Sequence, residues 1–550
     1  MSTRESLYNL YCLAAAARNV AQKSVPMASS AARSWFNASP LVASALDGCQ
    51  AYRDPSWDAA MDLSRRIRRG NATGSVSTPP GRRMYSTSAR TGKSNQEKVK
   101  EPSRDLRSSE VPTSRVSRLF HYGQLAAGVG LDVARQSISE VAHGRQPQWK
   151  SLLLSDSNID RITRKFSQMR GAALKIGQMM SFQDEKLLPR ELYEILSRVQ
   201  NSANYMPQRQ LERVMRTELG DHWRSFFREF SEVPFAAASI GQVHAATLAS
   251  GDKVVLKVQY PGVRDSIDSD LNNLLMLLTA SRLLPKGLFL DKTVANARTE
   301  LKWECDYTRE ALAMQKFGEL LRDDPVFQVP RVYHELCTPN VLTMQHMDGT
   351  EIMQLPAAET DQATRDFLCE NIMRLTLQEI AQFEYMQTDP NWANFLYSPG
   401  RNGSDTRHIQ LLDFGASRPF PDGFIAKYRR LLTCATRGDR EGVREMSMAL
   451  GYLNGLESDA MTAAHIDSVM TLGEPFTSAD PSVPFDFRDQ TVSDRIRGNI
   501  GLMLNERLCP PPEETYSLHR KFSGIFLLCA RMGARVHCAR LFNDIFALEK

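Results

Sequence analysis

Apolar positions set the coarse outline of this chain. Between 157 and 182, Ile159, Ile162, Phe166, Met169, Ala173 and Ile176 recur at steps of three and four, the signature of one helix face. A second helix is expected after Pro189 and a third over 207–230. At 243–259 the period shortens to two, with Gly251-Asp252 where a hairpin would turn. Helical patterns return over 264–282 and 293–320. "NVLTMQHMDG" (340–349) reads as a buried strand running into a turn. From 360 onward helices dominate, interrupted by "TDPNWANF" and "LLDFGA". No repeat period is present. The pattern predicts helices first, then a small strand-rich part, then a large helical part.

Two other apolar stretches bear on membranes. "LFHYGQLAAGVGLDVA" (119–134) is short of the roughly 20 apolar residues that a spanning helix needs, and it contains His121, Gln124 and Asp132. Its Gly123, Ala127 and Gly128 would allow close helix packing in lipid. A membrane span and a surface-lying or packed helix are both open. "LNNLLMLLTASRLLPKGLFL" (271–290) is a core helix or a lipid-facing one.

Charge divides the chain unevenly. Residues 1–100 hold 15 Lys and Arg against 6 Asp and Glu, whereas the remainder holds 53 against 57. The body therefore has no nucleic-acid footprint. The tail is basic, and 63–96 contains no acid at all. Such segments are drawn toward a negative-inside organelle, and "RRMYSTS" is similar to a mitochondrial processing site cut near Ser86. Nine scattered cysteines without a C-x-x-C pair argue against a secreted disulfide framework. "TGKS" (91–94) is not a Walker A loop, because Thr87 stands where that motif needs glycine.

Candidate chemistry begins at 234–246, "PFAAASIGQVHAA". A kinase phosphate loop reads G-x-G-x-x-G-x-V. Here the frame is Ala236-x-Ala238-x-x-Gly241-x-Val243, with Ala237, Ser239 and Ile240 between. Lys257 follows 14 residues after Val243, enough chain for one β-hairpin. Downstream, Asp389 and Asn394 stand five apart, as a kinase's catalytic carboxylate and metal-binding amide do. Asp413-Phe414-Gly415 comes 19 residues after Asn394, leaving room for another hairpin. Asn394 and Asp413 could then share one Mg²⁺. Each piece alone is weak; their order along the chain points to a nucleotide site. Glu310 suits an ion pair with Lys257. Glu304 and Asp306, two apart on the expected helix, would diverge from each other.

Together these residues resemble the UbiB family of atypical kinase-like proteins, in its mitochondrial coenzyme Q (ubiquinone) biosynthesis branch. "MRGAALKIGQMMS", "PFAAASIGQVHAA", "VVLKVQYPGV", "ECDYTREA", "MQTDPNWANF" and "LLDFGA" occur in the family's order over about 115–550. The resemblance implies an α+β, bilobal protein-kinase-like fold, with a small β-rich lobe at 231–347 and a large helical lobe at 348–550. A transit peptide and basic linker would occupy 1–115, and a membrane-associated or spanning helix 116–150. A helical extension at 151–230 would cover the cleft with its K-x-G-Q motif: Lys175, Gly177 and Gln178. Glu304 and Asp306 match the E-x-D motif that meets it, and Glu310 matches the acidic partner of Lys257.

Alanine keeps the N–H groups of a phosphate loop but adds a Cβ at each position. Ala236 and Ala238 are expected to stiffen the loop and hold it off the phosphates. Asn391 stands where protein kinases carry a lysine, and no Ala-Pro-Glu follows Asp413. The expected activity is therefore Mg-ATP hydrolysis, or action on a small lipid-like acceptor, in place of protein phosphorylation. Asp389 would serve as base, Lys257 would grip the α/β phosphates, and Asn394 and Asp413 would hold the metal. Met344 would gate the adenine, with Gln345 and Met347 offering main-chain atoms. Expected partners are ATP or ADP, anionic lipids, isoprenoid quinone precursors and other coenzyme Q biosynthesis proteins, at the matrix face of the mitochondrial inner membrane; a homodimer is left open. An active protein kinase and a nucleotide-gated lipid-binding scaffold are the alternatives.

Overall fold

The computed structural model describes residues 107–108, 115–143, 155–169, 204–281, 290–356, 360–400, 406–478, 480–488 and 491–546. Residues 104–125 and 150–550 form one compact unit; 126–149 belong with 1–103 to a second unit, of which a helical segment and His143 are described. Helix α1 (Arg115–Ala142) begins in the first unit and continues into the second. Within the first unit its start is tied by a buried ion pair, Arg118 Nη1 to Asp270 Oδ2 at 2.7 Å. Lys165, on α2 (Asp156–Met169), donates to His121 Nδ1 at 3.0 Å and to Gln124 Oε1 at 2.9 Å. Among the described residues, no helix is long and apolar enough to cross a membrane.

The third expected helix is shorter than 207–230. Helix α3 (Gln208–Leu219) ends at Gly220, whose φ of 85° few other residues adopt. After a short 3₁₀ turn the chain becomes strand β1 (Phe227–Phe230), where Trp223, Phe227 and Phe230 pack ring to ring. Aromatic packing and cross-strand pairing override the helical reading there.

Four more strands complete an antiparallel sheet: β2 (Ala236–Ala237), β3 (Gly241–Leu248), β4 (Lys253–Gln259) and β5 (Val341–Gln345), reached after helices α4 (Val263–Ser281), α5 (Leu290–Glu304) and α6 (Tyr307–Leu320). The order is β1-β3-β4-β5, with β2 also on β3. Val254, Val255, Leu256 and Val258 are all buried, which is why β4 is central. The β3–β4 hairpin turns through Gly251 at φ 94°. The expected helix over 293–320 is two helices, broken at Cys305 and Asp306. The Asp306 side chain caps the second by accepting from the Arg309 N–H at 3.3 Å.

The rest is helical. Helix α7 (Gln362–Ala381) is buried over most of its second half, with a half-exposed stripe at Asn371, Arg374 and Gln378, and packs against several other elements of this lobe. Strands β6 (Tyr385–Gln387), β7 (Phe395–Ser398), β8 (His408–Leu411) and β9 (Ser417–Pro419) follow it; β6 pairs with β9, and β7 with β8 in a sheet that also takes in Phe327–Gln328 and Thr350–Glu351. Helices α8 (Asp422–Thr436), α9 (Arg440–Leu450), α10 (Asp459–Gly473), α11 (Val492–Glu506), α12 (Glu513–Met532) and α13 (Cys538–Phe546) close the chain. The architecture is the bilobal α+β arrangement read from the sequence.

Candidate active site

The β3–β4 hairpin sets the first group. Val243 and Lys257 lie directly opposite each other in its register. Lys257 Nζ forms an ion pair with Glu310 Oε1 of α6 and lies 3.3 Å from Asp413 Oδ2. Burial works against its charge, but Asp413 and Glu310 outweigh it and hold the lysine above its ordinary pKa. Burial pushes the Glu310 carboxyl upward, while Lys257 pulls it back.

Glu310 also accepts the Phe414 N–H at 3.5 Å, and Asp413 Oδ1 accepts the Gly415 N–H at 3.0 Å. A Cβ on Gly415 would lie 3.5 Å from Glu310 Oε2 and 3.7 Å from Glu304 Cγ, so two of the three acids of "ECDYTREA" border the Asp-Phe-Gly turn. Glu304 ends α5, whereas Asp306 starts α6 as its cap. The helix break, and not opposite faces of one helix, separates them. Lys175, Gly177 and Gln178 lie outside the described residues.

The second half of the site follows β6. Asp389 Oδ1 accepts the Asn391 N–H at 3.3 Å, and Asp389 Oδ2 accepts from Asn394 Nδ2 at 3.4 Å. The Asn394 carbonyl accepts the Leu412 N–H at 3.0 Å. That bond belongs to the β7–β8 hairpin, which returns the chain so that Asn394 and Asp413 wall one small cavity. Lys257, Glu310, Asp389, Asn394 and Asp413 are thus linked in one cluster. After Asp413 the chain runs through β9 and enters α8 at Asp422, too soon for a long peptide-docking segment. The Asn391 side chain is used locally, accepting the Ala393 N–H at 3.3 Å.

The alanine segment is a tight hairpin. Ala236 and Ala237 pair with Val243 and Gln242, and the Ala238 N–H donates to the Gly241 carbonyl at 2.8 Å, with Ser239 and Ile240 at the turn. Gly241 is needed for close approach: a Cβ there would fall 2.6 Å from the Val258 carbonyl oxygen and 2.7 Å from Tyr307 Oη. Met344 is buried on β5 opposite Val255. The Gln345 N–H donates to the Arg331 carbonyl at 2.8 Å, and Met347 is half-buried just beyond the strand.

Several residues with a part here went unread in the sequence. Arg309 donates to the carbonyls of Gly415, at 3.0 Å, and Ser417, latching α6 to the segment after Asp413. Arg520 donates from Nη2 to both Glu300 oxygens, at 3.0 and 3.1 Å. Burial opposes the charge of Arg520, but Glu300, with Asp389 and Glu304 behind it, raises its pKa. Lys521 donates to the Gln387 carbonyl at 2.7 Å. A lysine in the apolar stripe Leu518, Phe522, Ile525 was the available signal.

An ABC1 atypical kinase-like domain model matches residues 198–447. Over 489 residues the chain is 68% identical to the atypical kinase COQ8, mitochondrial, of Saccharomyces cerevisiae, covering 88% of this chain and 96% of that one. The chain belongs to the COQ8 atypical kinase family. The Schizosaccharomyces pombe COQ8 is 50% identical, over 80% of this chain and 71% of its own. Mitochondrial COQ8B of Rattus norvegicus is 45% identical, over 80% and 82%. Membership makes this a mitochondrial atypical kinase-like protein of coenzyme Q biosynthesis. A further model, described only as YBR230W-A, matches residues 3–74 in the basic tail.

The COQ8-type cluster fits a magnesium nucleotide. One carboxylate and one amide oxygen, from Asp413 and Asn394, are the hard donors that Mg²⁺ takes together with phosphate oxygens. No group of three or more His, Cys, Asp or Glu that could hold a metal by itself occurs among the described residues.

Proposed function

We propose that the protein binds Mg-ATP between the alanine hairpin and the loop at 389–394 and hydrolyses it, or acts on a small lipid-like acceptor, without phosphorylating proteins in trans. The observation that carries this reading is the convergence of Lys257, Glu310 and Asp413, with Asn394 and Asp389 joined to them. Asn394 and Asp413 would hold the magnesium ion, which would neutralise phosphate charge. Lys257, kept cationic and fixed by Glu310, grips the α/β phosphates. Asp389 receives the proton of the attacking water or hydroxyl.

Two features argue against a peptide acceptor. Asn391 offers no cation for a transferred phosphoryl group, and the segment after Asp413 is short. The closed turn at Ala238 shifts the γ-phosphoryl from an in-line position, and about 1 Å of misplacement costs about 100-fold. At the adenine end the Gln345 N–H is occupied by Arg331, so the Gln345 carbonyl and the Met347 main chain are the groups offered. Anionic lipids, isoprenoid quinone precursors and other coenzyme Q biosynthesis proteins are the proposed surroundings, at the matrix face of the inner membrane. Lys175, Gly177 and Gln178 are proposed to regulate the cleft together with Glu304 and Asp306.

The test is magnesium-dependent phosphate release from pure protein, with and without anionic membranes and a phenolic quinone precursor. Release that membranes and the phenol raise, and that Asp413→Asn abolishes, supports the reading. Stoichiometric phosphorylation of an added protein, lost in Asp389→Ala, would replace it with the protein-kinase alternative.

A further inference from the structure

Beneath the loop that carries Asp389 and Asn394 lies a buried polar assembly that the catalytic set does not include. Lys521 of α12 and Glu379 of α7 have side chains only 3% and 1% exposed, with Nζ 3.5 Å from Glu379 Oε2. Between them sits Gln387, two residues before Asp389. Its N–H donates to Glu379 Oε1 at 3.0 Å, and its carbonyl accepts from Lys521 Nζ at 2.7 Å. Its side-chain Nε2 donates to the Asp413 carbonyl at 3.1 Å. One residue therefore couples a buried ion pair to the main chain of a magnesium ligand.

The same residues wall a cavity of about 20 Å³, to which Asn394 and Asp413 also contribute. Glu379 Oε2 and Gln387 Oε1 are buried and make no hydrogen bond. A cavity of that volume with several polar neighbours accommodates one water. Replacing a buried ion pair by apolar residues of similar size is often neutral or stabilising, so this pair needs an explanation other than fold stability.

We propose that Lys521 and Glu379 are positioning residues for the magnesium ligands. They hold Gln387, and one water bridges Glu379 Oε2 to Gln387 Oε1, so that Asp413 and Asn394 are presented at a set separation. The proposal rests on the magnesium-nucleotide reading above. It assigns helix α12 a part in metal affinity that is exerted through Gln387.

Calorimetric titration of ADP at graded Mg²⁺ concentrations, with the full-length chain, tests it. In Lys521→Met, the Mg²⁺ concentration at half-maximal binding should rise about 10- to 100-fold, the usual effect of removing an outer-shell partner. Metal-free ADP binding should stay within about twofold, a split that general loss of structure would not produce. Should the single variant fail to fold, Lys521→Met/Glu379→Gln removes both charges, and the same shift is expected of it. A folded variant with the wild-type Mg²⁺ midpoint overturns the proposal. Wild-type protein that shows no magnesium-dependent ADP binding overturns the nucleotide reading itself, so the two failures are distinguishable.

Discussion

The alanine turn at 236–241 and the loop at 387–395 flank Lys257 and Asp413, and they are held by different means. The turn closes on its own chain, through pairing of Ala236 and Ala237 with β3 and the bond from Ala238 to Gly241. Beyond itself it leans on β4 and α6: the Ile240 carbonyl accepts the Tyr260 N–H at 2.9 Å, and Gly241 fits against the Val258 carbonyl and Tyr307. The loop is held mainly from a distance. Glu379 and Lys521 grip Gln387, Pro390 sits in a notch at Gly524 of α12, and Trp392 Nε1 donates to the Gly524 carbonyl at 3.0 Å. A local hairpin resists change one residue at a time, whereas a loop fixed by remote helices fails when any helix shifts. Asn394, proposed above as a magnesium ligand, lies in the remotely held loop, and Gln387 of that loop bonds the Asp413 carbonyl.

Changes at each loop should separate these two modes of support. Asp413→Asn removes the carboxylate and is expected to lower magnesium-dependent phosphate release by at least about 100-fold, measured with a phosphate sensor. Gly524→Ala puts a Cβ 2.3 Å from Pro390 Cβ. Overpacking should cost about 2–3 kcal/mol, read as a lower urea midpoint, and should weaken magnesium affinity. Gly241→Ala meets the Val258 backbone, which cannot give way easily. It should cost about 2 kcal/mol and loosen the Lys257–Glu310 pair while leaving magnesium affinity nearly unchanged. Equal effects of the two glycine changes on metal binding would erase the distinction.

Acid provides a control at a residue that belongs to neither loop. His465 on α10 is buried, and burial, with Arg507 and His519 adding to it, depresses its pKa to about 3. Below pH 6.5 the unfolded chain takes up a proton that the folded site refuses, so stability falls as pH falls. The cost from this residue between pH 7 and 6 is about 0.7 kcal/mol, and His465→Gln should flatten that part of the pH–stability curve. An equally small effect on stability is expected of Ala238→Gly. It should cost about 0.5–1 kcal/mol, free the turn, and raise autophosphorylation measured with labelled ATP. Unchanged labelling would show that the alanines are not the brake.

What the sequence revealed follows the same division. Lys257, Asp389, Asn394 and Asp413 were readable because each lies in a short motif whose spacing demands a hairpin, and both hairpins are present. The E-x-D pair was misread as lying on one helix, because the break at Cys305 has neither glycine nor proline to mark it and depends on the Asp306 cap. Strand β1 was misread because its pairing partner is β3, beyond the reach of local periodicity. Gln387, Lys521 and Gly524 act only through contacts between segments far apart in the chain, which no local motif announces. Gly241 was visible as a remnant of a phosphate loop, but its reason is close approach to the Val258 carbonyl and Tyr307.

Titration of Mg-ADP into the folded chain, followed by calorimetry in wild type and Asp413→Asn, is the most direct test of the site. Wild type should bind with a heat that requires magnesium, and the variant should bind at least about tenfold more weakly. No heat in wild type, or binding indifferent to both magnesium and Asp413, would contradict the convergence of these side chains on one nucleotide.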